Sequence, residues 1–536
     1  MKVFQISSLE KVRSLLDVKN EVKNVSLLGG ERFSYELIVE SQQMVCCEVQ
    51  IQWPYASKIY VQRDVVMDLP KNAWVQDEDY LTETPELMPD LLVPMEEQGN
   101  RQFLRPGLNR FWVELRVPEG AEAGDYYAEV TFSEGKEPLV HSSLQVHILP
   151  QTLPENALLF TQWFHVDCIA TACQVEVYSE EHWKWIRNYM LLAADLGINT
   201  ILTPVITPPL DTAVGTCRLN TQLVKIHREG DRYTFDFTLL RRWIGLCREC
   251  GITHLEISHL FSQWGAEYSP NIYDDKGRIF GWEIKADDPR YLRFLEAFLP
   301  QLVEVLRQEG MEERTFFHIS DEPGEAQQEA YARAKALVQP LLGKCRIMDA
   351  LSHYDFYANG LVETPVCATD AIEPFLQHGG KNLWAYYCCA QGEKVGNRFL
   401  SMPAYRNRIL GLQLYKFNIQ GFLHWGYNYY YSQLSQYPID PTITTSSDGA
   451  FPSGDPFSVY PGRELPRPSM RAMVFYEALQ DIRLCRLLEQ YIGRERVVEL
   501  IDREAGMELT FTQYPRDSRF LPVLNEKMKE MIRKSV

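Results

Sequence analysis

The sequence predicts an α/β protein in which a (β/α)8 barrel of the TIM type follows an N-terminal antiparallel β-sandwich and precedes a C-terminal helical tail. Three observations predict this order. Residues 1–153 alternate apolar and polar side chains with the period of two that is typical of strands. Residues 154–490 alternate short apolar runs with stretches of helical spacing. Residues 491–536 are charged and have helical spacing, so we expect a helical extension packed on the barrel.

Period-two alternation recurs through the N-terminal region, near residues 33–39, 47–53, 111–117, 126–132 and 144–148. Turn-forming residues such as Pro118-Glu119-Gly120 separate these runs, as in an antiparallel sandwich. An acidic, proline-containing stretch between residues 76 and 109 predicts a long excursion from the sheets. Residues 150–154 begin and end with proline, which predicts a stiff junction to the next domain.

Strand-like runs alternate with helical segments through the central region. The apolar runs lie near residues 158–164, 199–205, 254–260, 314–319, 345–351, 366–369, 383–388 and 421–425. Helical spacing occurs near residues 180–196, 237–250, 288–309, 324–342, 371–378, 403–417 and 468–489. Such a series of units predicts a closed eight-stranded barrel. An open doubly wound sheet is the alternative, but the chain has no G-x-G-x-x-G motif to favour it.

The composition excludes several functional classes. A formal net charge of −18 argues against nucleic-acid binding and against a polyanionic substrate. No run approaches the roughly 20 apolar residues of a membrane span, so we expect no membrane partner. The first residues lack the pattern of a signal peptide, which predicts a cytoplasmic location for the chain as given. The sequence leaves the oligomeric state open, and a homo-oligomer is among the alternatives.

The cysteines and histidines do not form a convincing metal site. Twelve cysteines fit a reducing compartment better than a disulfide framework. Cys247 and Cys250 have metal or redox spacing, but they close a helical segment and no second ligand pair follows them. His254, Glu256 and His259 also suggest zinc, yet on a strand only the first two share a face. We therefore expect no metal and no cofactor.

Two adjacent carboxylates, Asp321 and Glu322, follow an apolar strand-like run. Pro323 comes next and opens a segment with helical spacing, as a proline can at the first turn of a helix. The acid pair is therefore predicted to lie where a strand passes into a helix, on the face of a TIM barrel that carries the chemistry. Acids at this position can simply serve the helix dipole, but a carboxyl pair is also what glycosidic-bond hydrolysis needs.

Polar and aromatic side chains end most of the other predicted barrel strands, where a core would favour apolar residues. Acids, amides, imidazoles and aromatic rings gathered at one rim would form a bowl for a neutral ligand rich in hydroxyl groups. We therefore predict a set of substrate-binding residues at this rim: His165, Asp167, Asp211, Gln263, Trp264, Asp370, Tyr386, Trp425 and Asn428.

Several of these residues lie in recognisable motifs. The motifs are Pro209-Leu210-Asp211-Thr212, Gln263-Trp264-Gly265-Ala266, His318-Ile319-Ser320-Asp321-Glu322-Pro323, Asn397-Arg398-Phe399 and Gly421-Phe422-Leu423-His424-Trp425. Together they resemble glycoside hydrolase family 123 and its relatives in domain of unknown function 4091. The resemblance extends over residues 155–490, and the predicted sandwich is similar to the family's usual N-terminal β domain.

The resemblance implies a retaining, substrate-assisted β-N-acetylhexosaminidase that acts on a small carbohydrate or glycoconjugate with a terminal β-linked N-acetylgalactosamine. It implies that Glu322 is the general acid and that Asp321 orients the 2-acetamido group of the substrate as its carbonyl oxygen attacks the anomeric carbon. We further expect the charge of Asp321 to raise the pKa of Glu322. At the rim, we expect Tyr386 to donate to the acetamido oxygen and Trp425 to form the floor under the sugar.

Two alternatives remain open. A glycosidase that acts on a sugar without an acetamido group would use another rim carboxylate, such as Asp167, Asp211 or Asp370, as nucleophile or base. A sugar-binding protein without catalytic activity would use the sandwich or the rim only to capture its ligand.

Overall fold

The protein's structure is a computed structural model that describes residues 1–212, 216 and 218–535. Its N-terminal part consists of strands. They are β1 (Lys2–Ser7), β2 (Asn24–Gly29), β3 (Arg32–Ser41), β4 (Val45–Gln52), β5 (Ser57–Met67), β6 (Glu86–Pro94), β7 (Arg101–Leu104), β8 (Gly107–Arg116), β9 (Gly124–Glu134) and β10 (Glu137–Thr152).

These strands form two five-stranded sheets, in the orders β1-β3-β8-β5-β6 and β2-β10-β9-β4-β7. Alternate apolar residues, such as Leu37 and Val113 from the first sheet and Val49 and Val130 from the second, are buried in one core. Each such side chain contributes about 1.5–3 kcal/mol when it leaves water. The predicted sandwich is confirmed with one exception to its antiparallel pairing, because β2 pairs with β10 in parallel.

The excursion predicted between residues 76 and 109 is only partly irregular. Strands β6 and β7 and the beginning of β8 lie inside it, and the irregular segment is the earlier connection from residue 68 to residue 85. The prolines misled the prediction, because β6 contains Pro89 and Pro94 but is the last strand of its sheet. On an edge strand a missing N–H need not cost a hydrogen bond between strands.

The remaining strands are β11 (Leu159–Gln162), β12 (Thr200–Thr203), β13 (Lys225–Glu229), β14 (Arg232–Asp236), β15 (His254–Ile257), β16 (Ile272–Asp274), β17 (Gly277–Phe280), β18 (Thr315–Phe317), β19 (Arg346–Leu351), β20 (Thr364–Ala368), β21 (Trp384–Tyr386), β22 (Gly421–His424), β23 (Val459–Tyr460) and β24 (Arg467–Pro468). A closed barrel is formed by β11, β12, β15, β18, β19, β20, β21 and β22. All of its pairs are parallel, and β11 closes the ring by pairing with both β12 and β22. The predicted eight-stranded barrel is confirmed.

The helices are α1 (Val166–Ala172), α2 (Glu180–Asp195), α3 (Thr238–Cys250), α4 (Pro289–Gln308), α5 (Gln328–Val338), α6 (Asp355–Ala358), α7 (Glu373–Gln377), α8 (Tyr405–Arg408), α9 (Leu410–Lys416), α10 (Met470–Ile492), α11 (Arg494–Ala505) and α12 (Phe520–Lys534). Local sequence explains their ends. Ser179 caps α2 by accepting a hydrogen bond from the His182 N–H, and Gly251 ends α3 in the left-handed conformation that glycine adopts without strain. No helix in the described part of the chain is both long and apolar enough to cross a membrane.

Close packing inside the barrel depends on one glycine. Gly421 of β22 is the register partner of Trp384 of β21. A Cβ at residue 421 would lie 2.2 Å from the Trp384 ring, so only glycine lets the indole lie flat against this strand.

Charged side chains join the sandwich to the helices that follow the barrel. Arg471 of α10 makes two hydrogen bonds to Asp90 of β6, with Nε–Oδ1 and Nη2–Oδ2 distances of 3.0 and 2.9 Å. Lys529 of α12 donates to Glu31 Oε1 and to the Ser26 carbonyl, both at 2.7 Å. The predicted helical tail therefore contacts the sandwich as well as α10.

Candidate active site

A cavity lies at the carboxyl ends of the barrel strands. Most of the residues predicted from the sequence line it: Asp321, Glu322, His165, Asp211, Gln263, Trp264, Tyr386 and Trp425. The structure also brings residues to the lining that were not predicted: Trp163, Leu210, Cys388, Cys389, Tyr429 and Phe451.

The acid pair lies in a loop and not at a strand end. Strand β18 stops at Phe317, and α5 begins only at Gln328 after a short 3-10 turn over Glu325–Gln327. The proline after the pair therefore does not open an α-helix as predicted. The loop frees Asp321 and Glu322 to turn into the cavity, whereas adjacent residues on a strand would point to opposite faces.

Asp321 is held by its neighbours on the loop after β15. Its side chain is buried, and Oδ2 accepts a hydrogen bond from Gln263 Nε2 at 2.8 Å. The oxygen of that amide accepts from the Asp211 backbone N–H at 2.5 Å, which fixes the amide group with its nitrogen toward Asp321. The Asp321 carbonyl in turn accepts from the Trp264 N–H at 2.9 Å. These contacts fix the carboxylate in one orientation.

Glu322 is held from the opposite side of the cavity. Tyr386, at the end of β21, donates its phenolic O–H to Glu322 Oε1 at 2.5 Å. Ser352 lies 3.4 Å from the same phenol oxygen. A hydrogen bond to a carboxylate contributes about 1.5–3 kcal/mol, enough to select one side-chain position.

Three residues of the cavity lining have strained backbone conformations. Asp211, Trp264 and Glu322 have φ values of 40°, 53° and 42°, in the left-handed region that side chains other than glycine rarely adopt. Such conformations cost about 1–3 kcal/mol each and occur mainly at functional sites. Gly265 has a φ of 124°, and a Cβ there would lie 2.7 Å from the Gln327 side chain. The Gln263-Trp264-Gly265-Ala266 motif therefore needs its glycine for the loop to close.

Burial raises the pKa of both acids. For Asp321, burial is the largest cause and the charge of Glu322 is the next, and together they raise its pKa to about 8. For Glu322, burial raises the pKa, the Tyr386 hydrogen bond lowers it, and the charge of Asp370 raises it. The pKa of Glu322 is raised as predicted, but burial is the largest cause, and the repulsion within the pair contributes to the raised pKa of Asp321. The two carboxyls titrate as one coupled pair.

His165 lines the cavity, but both of its ring nitrogens are already bound. Nδ1 accepts from Arg218 Nη2 at 3.0 Å, and Nε2 donates to the Trp425 carbonyl at 2.9 Å. Burial first, and then the Arg218 charge, lower the pKa of His165 to about 3. The imidazole is therefore neutral, and both of the nitrogens that could contact a sugar hydroxyl group already have protein partners.

Three predicted residues lie outside the lining. Asp167 is buried, and both of its oxygens accept from Arg218 at 2.7 Å, which compensates the buried charge. Asn428 is also buried and bonds the N–H and carbonyl of His165, so it holds that residue in place. Asp370 is exposed and accepts from Gln391 Nε2 at 3.0 Å. The polar atoms of Asp167 and Asn428 therefore bind protein groups, and the sugar contacts predicted for all three residues stay predictions.

An aromatic cluster forms one wall of the cavity. The Trp425 ring contacts those of Tyr429 and Phe451, with centroid distances of 5.0 and 5.1 Å. Its indole N–H donates to Asp455 Oδ2 at 2.9 Å, which fixes the ring plane. Asp455 also lies 3.2 Å from His424 Nε2, and burial raises its pKa to about 7.

A buried charged array lies below the acid pair. His318 contacts Glu256 through Nε2 at 2.7 Å and Asp349 through Nδ1 at 3.1 Å, so each carboxylate accepts from one ring nitrogen. Burial acts to lower the pKa of His318, but these two hydrogen bonds overcome it and raise the pKa to about 10. Glu256 also accepts from the Trp163 indole at 2.6 Å. The array thus connects an imidazolium to the indole that lines the cavity.

His259, His318 and Asp349 are close enough together to suggest a metal site. The two imidazole rings are stacked, with centroids 4.2 Å apart and an angle of only 15° between their planes. Nitrogen lone pairs lie in the ring plane, so those of nearly parallel stacked rings cannot converge on one tetrahedral ion. This geometry fits aromatic packing and not metal ligation.

The unpredicted residues lie where the sequence carries no periodic signal. Asp455 and Phe451 belong to the long connection between β22 and α10, and Arg218 to the connection between β12 and β13. Trp163, by contrast, follows β11 directly. Residues at the carboxyl ends of barrel strands line the active site, so its position in the lining could have been predicted.

Comparison with known proteins agrees with this geometry. A family model described as glycoside hydrolase 123, catalytic domain, matches residues 163–488. The fold is similar to that of a family 123 glycoside hydrolase from Clostridium perfringens, with a TM-score of 0.73, 13% identity, and coverage of 100% of this chain and 98% of that chain. A search of curated proteins finds no match.

Two family 5 glycoside hydrolases have lower TM-scores. A Bacteroides ovatus xyloglucanase in complex with a heptasaccharide has a TM-score of 0.30 and 8% identity, over 85% of this chain and 98% of that chain. A Rhizomucor miehei mannosidase has a TM-score of 0.35 and 11% identity, over 66% of this chain and 95% of that chain.

Proposed function

Because this chain belongs to glycoside hydrolase family 123, we propose that it removes a terminal β-linked 2-acetamido sugar, of the N-acetylgalactosamine type, by a retaining, substrate-assisted mechanism. The observation that carries the proposal is the joint placement of Asp321 and Glu322 in one cavity. The two are consecutive residues of one loop, so a nucleophile supplied by the substrate itself suits them better than an enzyme nucleophile from the opposite side of the sugar.

Glu322 is the general acid in this proposal. It transfers its proton to the glycosidic oxygen as the bond to the anomeric carbon breaks, and later removes a proton from the attacking water. Burial supports this role because it raises the pKa of both acids, that of Asp321 to about 8, and so keeps a proton on the pair near neutral pH. The Tyr386 hydrogen bond at 2.5 Å holds the carboxyl in position through both steps.

Asp321 orients the acetamido group. Its carboxylate accepts the amide N–H while the amide oxygen bonds to the anomeric carbon and forms a cyclic oxazolinium ion. In the unliganded site burial raises the pKa of both acids, so the pair shares a proton. The substrate N–H stabilises the Asp321 anion, and the proton then passes to Glu322, where the leaving oxygen needs it. Gln263 retains its bond to Asp321 and keeps the acceptor aimed at the amide.

The remaining lining fits one sugar ring. The Trp425 indole, fixed by Asp455, supplies an apolar face for the C–H groups of a pyranose. Trp163 and Tyr429 narrow the cavity around it. These rings and the acid pair together support an exo-acting enzyme that encloses the terminal sugar.

A glycosidase for a sugar without an acetamido group is the second candidate. Asp211 favours it, since this carboxylate lines the same cavity and burial raises its pKa. Asp211 Oδ2 accepts from Tyr429 at 2.5 Å and from the Leu434 N–H at 2.9 Å, which makes it a weak nucleophile and supports the first candidate. Asp167 is unsuited to either role, because Arg218 occupies both of its oxygens.

A panel of aryl β-glycosides tests the proposal. Cleavage restricted to 2-acetamido sugars supports it, and cleavage of plain hexosides or pentosides supports the second candidate. Binding of a sugar without turnover would leave only a sugar-binding role. An N-acetyl thiazoline, which mimics the cyclised intermediate, should inhibit only the substrate-assisted enzyme.

A further inference from the structure

Asp349 of β19 is a fully buried carboxylate beside the loop that carries the acid pair. The backbone N–H of Ile319 donates to both of its oxygens, at 3.1 Å to Oδ1 and 3.2 Å to Oδ2. Ile319 precedes Asp321 by two residues, a separation of at most about 7 Å along the chain. Asp349 therefore holds the loop backbone close to the first of the two acids.

This contact takes the place of a strand contact. Strands β18 and β19 pair in parallel, and their last register partners are Phe317 and Ile347. The same register, if continued, would bring Ile319 opposite Asp349, but β18 ends at Phe317. A buried N–H needs an acceptor, and the Asp349 side chain supplies one outside the sheet. The loop can therefore leave β19 without an unpaired N–H at Ile319.

The other edge of the loop is held by the segment that follows β15. The N–H of Leu260 donates to the His318 carbonyl at 3.1 Å, and the N–H of Phe261 donates to the Ile319 carbonyl at 3.2 Å. The chain is thus hydrogen-bonded on both sides just before it reaches the acids. Asp349 supplies the contact on the side of β19.

Two further donors fix the Asp349 carboxylate itself. His318 Nδ1 lies 3.1 Å from Oδ1, and the phenol of Tyr331, on α5, donates to Oδ2 at 2.5 Å. Charge-assisted hydrogen bonds to both oxygens hold a carboxylate in one orientation. His318 also contacts Glu256 at 2.7 Å, so a variant without a charge at residue 349 still provides a counter-ion for the imidazolium.

The two acids depend on the loop backbone to different extents. Glu322 has its own contact across the cavity, with Tyr386 of β21. Asp321 is held by Gln263 and by the Trp264 N–H, and both of these belong to the loop after β15. A displacement of the backbone at Ile319 should therefore move Asp321 more than Glu322.

We propose that Asp349 is a positioning residue for Asp321, and that it sets the place of the Asp321 carboxylate relative to the substrate's acetamido group through the Ile319 N–H. The inference rests on the proposed function, in which Asp321 orients that group. Asp349 is not among the described residues that line the cavity, so it acts through the loop and not on the substrate.

The test compares Asp349→Ala with Asp349→Asn. The alanine removes every acceptor, so we expect kcat for a 4-nitrophenyl 2-acetamido-β-galactoside to fall about a hundredfold, as a misplacement of about 1 Å can cause, with a much smaller change in KM. A dinitrophenyl glycoside should lose as much, because Glu322 keeps its contact with Tyr386. The asparagine keeps an acceptor oxygen for Ile319 and should restore most of the activity.

Affinity for the N-acetyl thiazoline separates positioning from a purely structural role. Measured by calorimetry on folded protein, it should fall at least about tenfold in Asp349→Ala, since the hydrogen bond to Asp321 is lost or weakened. A residue that only stabilised the fold would lower the melting temperature and leave this affinity unchanged.

Tyr331→Phe is the matched control, because it removes a donor to the same carboxylate but leaves Ile319 and His318 bound to Oδ1. It should retain most of the activity and the thiazoline affinity. Full activity in folded Asp349→Ala would overturn the proposal. Equal losses in Asp349→Ala and Asp349→Asn would also overturn it, because they would assign the effect to charge.

Hydrogen exchange of the unmodified protein provides a test without substrate and without a variant. The Ile319 amide should exchange about as slowly as the amides of β18, and fast exchange would refute the contact with Asp349. This measurement decides if Asp349→Ala does not fold. Failure of the proposed function is distinguishable, since the unmodified protein would then not cleave 2-acetamido glycosides, whatever the exchange rate at Ile319.

Discussion

Tyr386 donates a hydrogen bond to Glu322 across the mouth of the barrel, with 2.5 Å between the two oxygens. The phenol comes from the end of β21 and the carboxyl from the loop after β18, so two separate barrel units fix the position of one acid. The bond stabilises the charged form of Glu322 and opposes the effect of burial. This balance sets the pH range in which the acid can donate its proton.

Removal of this phenol should move the pH profile. In Tyr386→Phe the carboxylate loses a donor, so the pKa of Glu322 rises above its value in the unmodified protein. Because the general acid works while protonated, the alkaline limb of kcat/KM should move to higher pH, and kcat should fall about tenfold as the carboxyl loses its orientation. Asp370→Asn is the opposing control. It removes a charge that raises the pKa of Glu322, so the alkaline limb of its kcat/KM profile should move to lower pH. Limbs that move in the same direction would contradict this account.

Glu322→Gln should remove the proton donor and keep the shape of the site. We expect kcat for a β-linked N-acetylgalactosaminide with a sugar leaving group to fall about a hundred- to ten-thousand-fold while binding measured by calorimetry survives. A dinitrophenyl glycoside needs little protonation of its leaving group and should lose much less in the bond-breaking step. Unchanged turnover of both substrates would remove Glu322 from the mechanism.

Asp321→Asn should impair cyclisation of the substrate. The neutral amide cannot stabilise the developing positive charge, so kcat should fall about a hundred- to a thousand-fold. Affinity for the thiazoline inhibitor should fall at least about tenfold, since a charge-assisted hydrogen bond becomes a neutral one. Asp355→Asn, at the exposed start of α6, serves as the control. If Asp321→Asn kept full affinity for the thiazoline, Asp321 would not contact the acetamido group.

The buried array should control stability. His318→Gln leaves Glu256 and Asp349 without their cation, and loss of a buried partner typically costs about 3–5 kcal/mol. The folded pKa of His318, about 10, lies above the value of about 6.5 expected for an unfolded histidine. The contribution of His318 is therefore complete below pH 6.5 and is lost as the pH rises through 10. The melting temperatures of the unmodified protein and of His318→Gln should differ most at pH 6 and converge toward pH 10. A difference that does not change with pH would show that His318 is not an imidazolium.

Chelation should leave activity intact. The stacked rings of His259 and His318 cannot share an ion, so dialysis against a chelator is expected to change neither kcat nor the melting temperature. Loss of activity that one added divalent metal restores would show a site that this packing does not explain.

The barrel could be predicted because its strands are short, apolar and regularly interrupted. The run predicted over 345–351 is β19 at Arg346–Leu351, and the helix predicted over 237–250 is α3 at Thr238–Cys250. Differences occur at the rim. The run predicted over 254–260 ends as a strand at Ile257, and beyond it the Leu260 N–H donates to the carbonyl of His318 in the segment that follows β18.

The predicted site residues differ in outcome for a physical reason. Tyr386 ends a regular strand, so its position follows from the barrel. Asp167 also follows a strand, but a buried carboxylate needs a cation, and the chain offers 54 lysines and arginines. The sequence could not show that Arg218, from an irregular connection, is the partner. Asp455 escaped prediction in the same way, because its contact with Trp425 depends on the path of a long loop.

The contact of Lys529 with Glu31 has a consequence for how the molecule is made. Lys529 lies on α12, and Glu31 lies in the sandwich. During synthesis, a chain that already contains all the barrel strands therefore still lacks this contact. Production of residues 163–488 by themselves would uncover the apolar undersides of α10 and of the sandwich junction, and such surfaces aggregate. The stability of the barrel region accordingly depends on α12 and the sandwich as well as on its own strands.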